Sequence, residues 1–462
     1  MRRAWTGLKQ EIRPALKLAL PVVLAEIGWM TMGLVDTVMV GPLGPAAIGG
    51  VGLGNSLYIF IAVFGMGFLL GLDTLVSQAA GAGDRPDTWR SLVNGGWLAV
   101  IIAPVVWITI QLIAANLSRF GLAADVQART HAYLRVMAWD VIPFFVFAVF
   151  RRYLQGIGKV RPVMVALLSA NLVNWLADYA FVQGRLGMPA LGVVGAAVAT
   201  VGSRLWMAGM LVAAAFLHEP ALRGVSRRPD FGRIRKLLGL GVPVAFQLSL
   251  EMAVFTIATI LAGTLGSKAI AAHQIALNLA GLTFMVPLGV SAAGGVRVGH
   301  AIGAKDPDAA VRAGWTALLL GAVFMCCAGM VFLLIPRLIL SPFTTDPTLL
   351  KLSATLLAIA AVFQLFDGLQ VVSTGILRGL GDTRTPMLAN LLAHWGLGLP
   401  VAYVLGITLN RGVIGLWIGL SVGLVAAGLI LLGIWRYRAR RLRVHAHQPQ
   451  QAEKAASVLE PL

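Results

Sequence analysis

Apolar residues in this chain gather into twelve long stretches, at about 14–40, 47–72, 91–115, 131–154, 162–182, 191–217, 237–262, 269–294, 313–336, 352–377, 386–407 and 412–435. Short runs holding most of the charge separate them. Each stretch meets the ~20 residues that an α-helix needs to cross the hydrocarbon core of a bilayer, and a helix satisfies its own backbone polar groups there. The pattern predicts an all-α integral membrane protein with twelve transmembrane helices, numbered here as spans 1 to 12. Span 1 follows a basic start of the signal-peptide kind, but it is too long and holds Glu26 and Asp36, so it reads as a retained span.

The twelve spans are two copies of six. Leu18 to Asp84 lies over Leu240 to Asp306 without a gap, a constant offset of 222 residues, with about a quarter of positions identical. Pro21 falls on Pro243, Gly41 on Gly263, Gly44 on Gly266, Gly67 on Gly289 and Gly81 on Gly303. A further echo pairs Gln155-Gly-Ile-Gly158 with Arg378-Gly-Leu-Gly381, and Gly192-Val-Val-Gly195 with Gly412-Val-Ile-Gly415. Duplicated hydrophobic halves are a mark of secondary transporters, in which the substrate site lies between repeats. The expected domains are residues 1–217 (spans 1–6), a polar linker at 218–236, residues 237–436 (spans 7–12) and a tail at 437–462. The tail is rich in Gln, Ala and His and is expected to be disordered.

Composition fits a membrane protein: 58% of the 462 residues are apolar, 12% are charged, and mean hydropathy is +0.83. The net charge of +18 would suggest nucleic acid in a soluble protein. Here it has a positional reading. With both termini in the cytoplasm, about 28 Lys and Arg fall on inner segments and about 8 on outer ones, the usual bias of multi-pass proteins. The inner set includes Arg2, Arg3, Lys9, Lys159, Arg161, linker residues from Arg223 to Lys236, and Arg436 to Arg443. Its partner is the anionic inner leaflet, not nucleic acid. Two adjacent cysteines, Cys326 and Cys327, point in different directions on a helix and read as packing residues. No Walker lysine loop, nucleophile elbow or metal-ligand spacing occurs, so no cofactor and no enzyme activity are expected.

Carboxylates inside apolar helices are the conspicuous chemistry, since each ionised group there is costly unless it faces water or a partner. The first repeat holds Glu26 and Asp36 in span 1, Asp140 in span 4 and Asp178 in span 5; the second holds Glu251 in span 7 and Asp367 in span 10. The copies differ, because Asp36 aligns with Ala258 and Glu251 with Trp29. Asn174 and Asp178 are four residues apart and share a helix face, expected to line a cavity rather than lipid. Asp36 lies near the outer end of span 1 and either joins them or reaches interfacial water. Glu26 and Asp140 are cavity candidates or interhelical hydrogen-bonding residues. His273 in span 8 is a proton-relay candidate or a packed, hydrogen-bonded histidine, and Arg204 in span 6 requires a carboxylate partner. Gly28, Gly33, Pro143, Pro243 and Pro287 mark places where a helix can bend. Phe, Met and Trp suit a pocket for flat lipophilic cations and serve packing equally.

Six segments resemble one family. They are Val35-Asp-Thr-Val-Met-Val-Gly41, Gln78-Ala-Ala-Gly-Ala-Gly83, Arg152-Tyr-Leu-Gln-Gly-Ile-Gly158, Gly195-Ala-Ala-Val-Ala-Thr200, Ala271-Ala-His-Gln-Ile-Ala-Leu-Asn278 and Leu377-Arg-Gly-Leu-Gly-Asp382. Together they are similar to the multidrug and toxic-compound extrusion (MATE) transporters, in the bacterial NorM-type branch. The resemblance implies two pseudo-symmetric six-helix bundles forming a V in the bacterial inner membrane. It implies antiport of organic cations and other amphipathic drugs against sodium ions or protons, by a protein functional as a monomer. It places a cation site, with sodium ligands if sodium drives transport, on Glu251 and Asp367, and a first-half site on Asp36, with Asn174 and Asp178. Not all members carry an acid at position 178, which leaves open which half dominates coupling. A lipid-linked oligosaccharide flippase of the same superfamily would call for a cationic cavity, whereas the intramembrane charges here are mostly acidic. A major-facilitator porter shares the span count, but only Gly83-Asp-Arg85 matches its loop signature. A passive channel is compatible with composition alone.

Overall fold

The computed structural model describes the backbone of residues 2–218 and 226–458, and the side chains of residues 11–218 and 226–444. Arg223 of the linker, and the end of the tail at 459–462, lie outside the described residues. Twelve helical segments are long and apolar enough to cross a membrane: span 1 Glu11–Leu43, span 2 Pro45–Gly81, span 3 Arg85–Ala115, span 4 Ala124–Gly156, span 5 Val160–Phe181, span 6 Val193–His218, span 7 Phe231–Thr264, span 8 Ser267–Gly303, span 9 Pro307–Leu334, span 10 Pro347–Gly379, span 11 Arg384–Thr408 and span 12 Gly412–Val444. No strand occurs among the described residues. The helix of span 12 runs on to Val458, through the stretch whose composition predicted disorder. Gln, Ala, Glu and Lys there are good helix formers although they supply little to pack.

The repeat is written into the backbone. Gly44 and Gly266 precede spans 2 and 8 at φ 94° and 109°. Gly83 (φ 73°) is matched by Lys305 (φ 57°), Gly158 by Gly381 (78° and 87°), and Gly192 by Gly412 (57° and 62°). Each turn needs the left-handed region, which glycine enters without a Cβ clash. One residue on, Asp84 accepts the Asp87 amide and Asp306 accepts the Ala309 amide, capping spans 3 and 9 alike.

Four spans depart from a plain α-helix, span 1 only in ending on a 3₁₀ turn at Gly41–Leu43. Span 2 is interrupted at Leu70, between Pro45–Leu69 and Gly71–Gly81. Span 4 passes through a 3₁₀ turn at Ala138–Asp140, and Pro143 sits in the first turn that follows, where a missing N–H leaves no helical bond unmade. Span 11 contains π-helix at Leu391–Gly398 and Val404–Thr408. Pro243 and Pro287 lie inside continuous helices.

Packing gathers the chain into two compact units. One holds Leu20–Val76 and Asp84–Met252; the other holds Met1–Ala19, Ser77–Gly83 and Ala253–Leu462. In the first, the start of span 7 packs on span 2: a Cβ on Gly241 would overlap the Phe68 backbone and one on Gly67 the Ala245 backbone. Linker residues are tied to span 3, with the Trp97 indole donating to the Arg227 carbonyl (2.9 Å) and the Asp230 amide to Asn94 Oδ1 (2.7 Å). Tyr58, Tyr133, Tyr153, Phe145 and Phe147 are its large fully buried side chains. In the second unit, Glu11 near the start of span 1 pairs with Arg297 of span 8. Trp417 and Trp435 fill this unit's interior.

Candidate functional site

A buried polar cluster in the first unit is assembled from spans 1, 5 and 6. One turn of span 5 presents Asn174 and Asp178, both fully buried. Asp36 of span 1, 7% exposed, lies beside them. The Thr200 hydroxyl of span 6 is 3.1 Å from Asp36 Oδ2 and 3.0 Å from the Ala196 carbonyl, with one proton to direct to either. Asp36 Oδ1, both oxygens of Asp178 and both amide atoms of Asn174 are buried and make no hydrogen bond of good geometry. Such atoms are expensive in a low-dielectric interior, so the pocket is suited to a small cation or a proton.

A second carboxylate is close by and differently equipped. Asp140 of span 4 is fully buried; the Tyr58 hydroxyl of span 2 donates to its Oδ2 at 2.6 Å, and Arg204 Nε stands 3.9 Å from the same oxygen. Arg204 therefore has its carboxylate partner. Its guanidinium also lies over the Trp29 ring at 3.8 Å and faces Phe144 at 5.3 Å, and Trp29 stacks on Phe147 at 5.8 Å. Phe147 in turn faces Arg151, which donates to Glu26. The neighbouring Arg152 pairs with Asp73 at 3.4 Å. Glu26 and Asp140 are both interhelical partners of arginine, and Asp36 and Asp178 are the buried acids of this unit without one of their own.

His273 of span 8 is fully buried in the second unit with both ring nitrogens engaged. The Trp417 indole donates to Nδ1 at 3.1 Å, so the neutral ring carries its proton on Nε2, 2.9 Å from the Thr259 hydroxyl, which passes its own proton to the Phe255 carbonyl. Glu251 and Asp367 are each half-buried and fall in different units, Glu251 in the first and Asp367 in the second. No group of three or more His, Cys, Asp or Glu is placed to hold a metal ion among the described residues.

Tyr58, Tyr133 and Thr200 are absent from the residues expected from sequence, since one hydroxyl in an apolar helix carries no special pattern. Arg151 could have been found: it sits at the end of an apolar stretch and calls for an acid, as Glu26 calls for a base.

A family model for MatE matches residues 21–180 and again 243–404, one match in each repeat. The chain is 36% identical over 445 residues to the probable multidrug resistance protein NorM of Mesorhizobium japonicum, covering 94% of this chain and 95% of that one. It is 32% identical over 464 residues to the multidrug resistance protein MdtK of Edwardsiella ictaluri, covering 97% and 98%. The chain belongs to the MatE family. The crystal structure of the eukaryotic MATE transporter AtDTX14 superposes with a TM-score of 0.84 at 20% identity, over 95% of this chain and 99% of that one, which shows the shared fold. As a MatE-family protein with twelve apolar helices, this chain is a multi-pass membrane transporter and not an enzyme.

Proposed function

We propose that this MatE-family protein is a multidrug efflux antiporter of the bacterial inner membrane, with both termini in the cytoplasm. It exports organic cations and amphipathic drugs, as a monomer, in exchange for sodium ions or protons. The observation that carries the reading is the Asp36, Asn174 and Asp178 cluster with its unsatisfied buried oxygens. Two carboxyls side by side away from water cannot both ionise cheaply without a counter-ion, so the cluster alternates between states with and without a bound cation. The names of the curated relatives support drugs as the exported species, and the repeat supports alternating access by two related halves, residues 1–217 and 237–436.

Glu251 and Asp367 are further cation-binding acids in this proposal, each within its own unit, and are sodium ligands if sodium is the coupling ion. Cation binding and drug binding favour opposite states of one cavity, so that each releases the other. The test is efflux of a fluorescent organic cation from proteoliposomes under a sodium gradient and a pH gradient imposed separately. Efflux that follows one of them is expected; efflux indifferent to both would overturn antiport.

A further inference from the structure

Buried charge in the first unit pairs off with a remainder. Arg151 takes Glu26, Arg152 takes Asp73 and Arg204 takes Asp140. An arginine keeps its proton at any pH a transporter meets, so these three acids have permanent counter-charges. Asp36 and Asp178 do not, although Arg204 is within electrostatic reach of Asp36. What keeps the guanidinium on Asp140 is packing: Trp29 and Phe144 flank it, Phe147 backs Trp29, and Tyr58 orients the accepting oxygen. Two of its nitrogens, Nε and Nη1, still have no hydrogen bond. The charged and titratable groups around it are Asp36 of span 1, Tyr58 of span 2, and Tyr133 and Asp140 of span 4; Asp178 of span 5 lies beyond, against Asp36 and Tyr133.

We infer that Arg204 is a positioning residue for cation coupling: a resident cation which, held on Asp140 by Trp29 and Tyr58, leaves Asp36 and Asp178 open to the exchangeable one. This rests on the Asp36 and Asp178 reading of the coupling site. Removing Arg204 leaves an uncompensated acid next to that pair, which then draws cations more strongly. Removing Asp140 frees the guanidinium to move onto Asp36, where it competes with the coupling cation. The two substitutions therefore act in opposite directions and cancel when combined.

The experiment measures, in proteoliposomes, the concentration of the driving cation that gives half-maximal efflux of ethidium. Arg204→Met lowers that concentration by about tenfold and Asp140→Asn raises it by about tenfold, the size expected of one unit charge about 12 Å away at an effective dielectric of about 20. The double variant returns to within about threefold of the parent, because the two shifts cancel if they arise from one pair. Equal or same-direction shifts in the single variants, or a double variant that is not restored, would overturn the inference, since a structural role lowers rate or abundance without opposed affinity changes. Should Arg204→Met not accumulate in the membrane, Asp140→Asn alone decides, an unmoved half-maximal concentration counting against. Cation-driven efflux that survives both Asp36→Asn and Asp178→Asn sinks the underlying site instead, whatever Arg204 does.

Discussion

Gly81 and Gly303, the same position in the two repeats, each lie against the backbone of the other copy: a Cβ on Gly81 would overlap His300, and one on Gly303 would overlap the Gln78 carbonyl. Gln78 and His300 are themselves repeat partners, so the approach has the two-fold character of the duplication. Gly81→Ala and Gly303→Ala are expected to cost about 1–3 kcal/mol each by overpacking, despite the better helix propensity of Ala. Gly96→Ala, where nothing lies within 4 Å, is the control and is expected to be neutral or stabilising. Thermal unfolding in detergent distinguishes them; equal midpoints for all three would contradict the close approach.

The Glu26 and Arg151 pair is buried on both sides. Glu26→Gln strands a guanidinium and is expected to destabilise by about 3–5 kcal/mol, whereas Glu26→Gln with Arg151→Met recovers a large part. Survival of a monodisperse peak after heating reads both, and a double variant no better than the single would show that the pair is not the unit of stability.

Transport gives a sharper separation. Asp36→Asn and Asp178→Asn are expected to lower cation-driven efflux by at least about tenfold, or about 1.4 kcal/mol, with protein abundance unchanged. Glu251→Gln and Asp367→Asn are each expected to do the same if these acids operate as proposed. Parental efflux in the latter two, with loss in the former, assigns coupling to the first half alone.

Asp346 caps span 10 from outside the membrane, accepting from the Thr348 amide (2.8 Å) and hydroxyl (2.7 Å) with Lys268 at 3.2 Å. The Thr348 hydroxyl and amide, aided by Lys268, hold its carboxyl at about 2, below the ordinary 3.8. A carboxyl lowered on folding stabilises fully above its unfolded value and loses that contribution as pH falls through the folded one. Hydrogen exchange at Thr348 and Leu350 is therefore expected to keep its cap-dependent protection down to about pH 4 and lose it toward pH 2. In Asp346→Ala this step disappears; a step unchanged in that variant would remove the cap from the explanation.

The duplication was legible because glycine identity reports backbone geometry: Gly44 and Gly266, or Gly192 and Gly412, share left-handed turns that few other residues enter. The acids were legible because an apolar span makes each one costly, and the four-residue spacing of Asn174 and Asp178 gave their common face. Partners were not. That Arg204 meets Asp140 depends on where spans 4 and 6 approach, which hydropathy does not encode. The π-helical parts of span 11 are equally invisible, since α and π turns use the same apolar residues. Lys305 shows the reverse failure, a left-handed turn at a position where the residue type hides it.

Glu26 and Arg151 stand 125 residues apart in the chain. At ~5–20 residues per second, a ribosome makes span 1 roughly 6–25 s before the guanidinium that will neutralise it. Until then the acid has no partner in lipid. A lone carboxyl in lipid is cheapest neutral or near the interface, so the cost of burying Glu26 as an ion is met only when span 4 is in place.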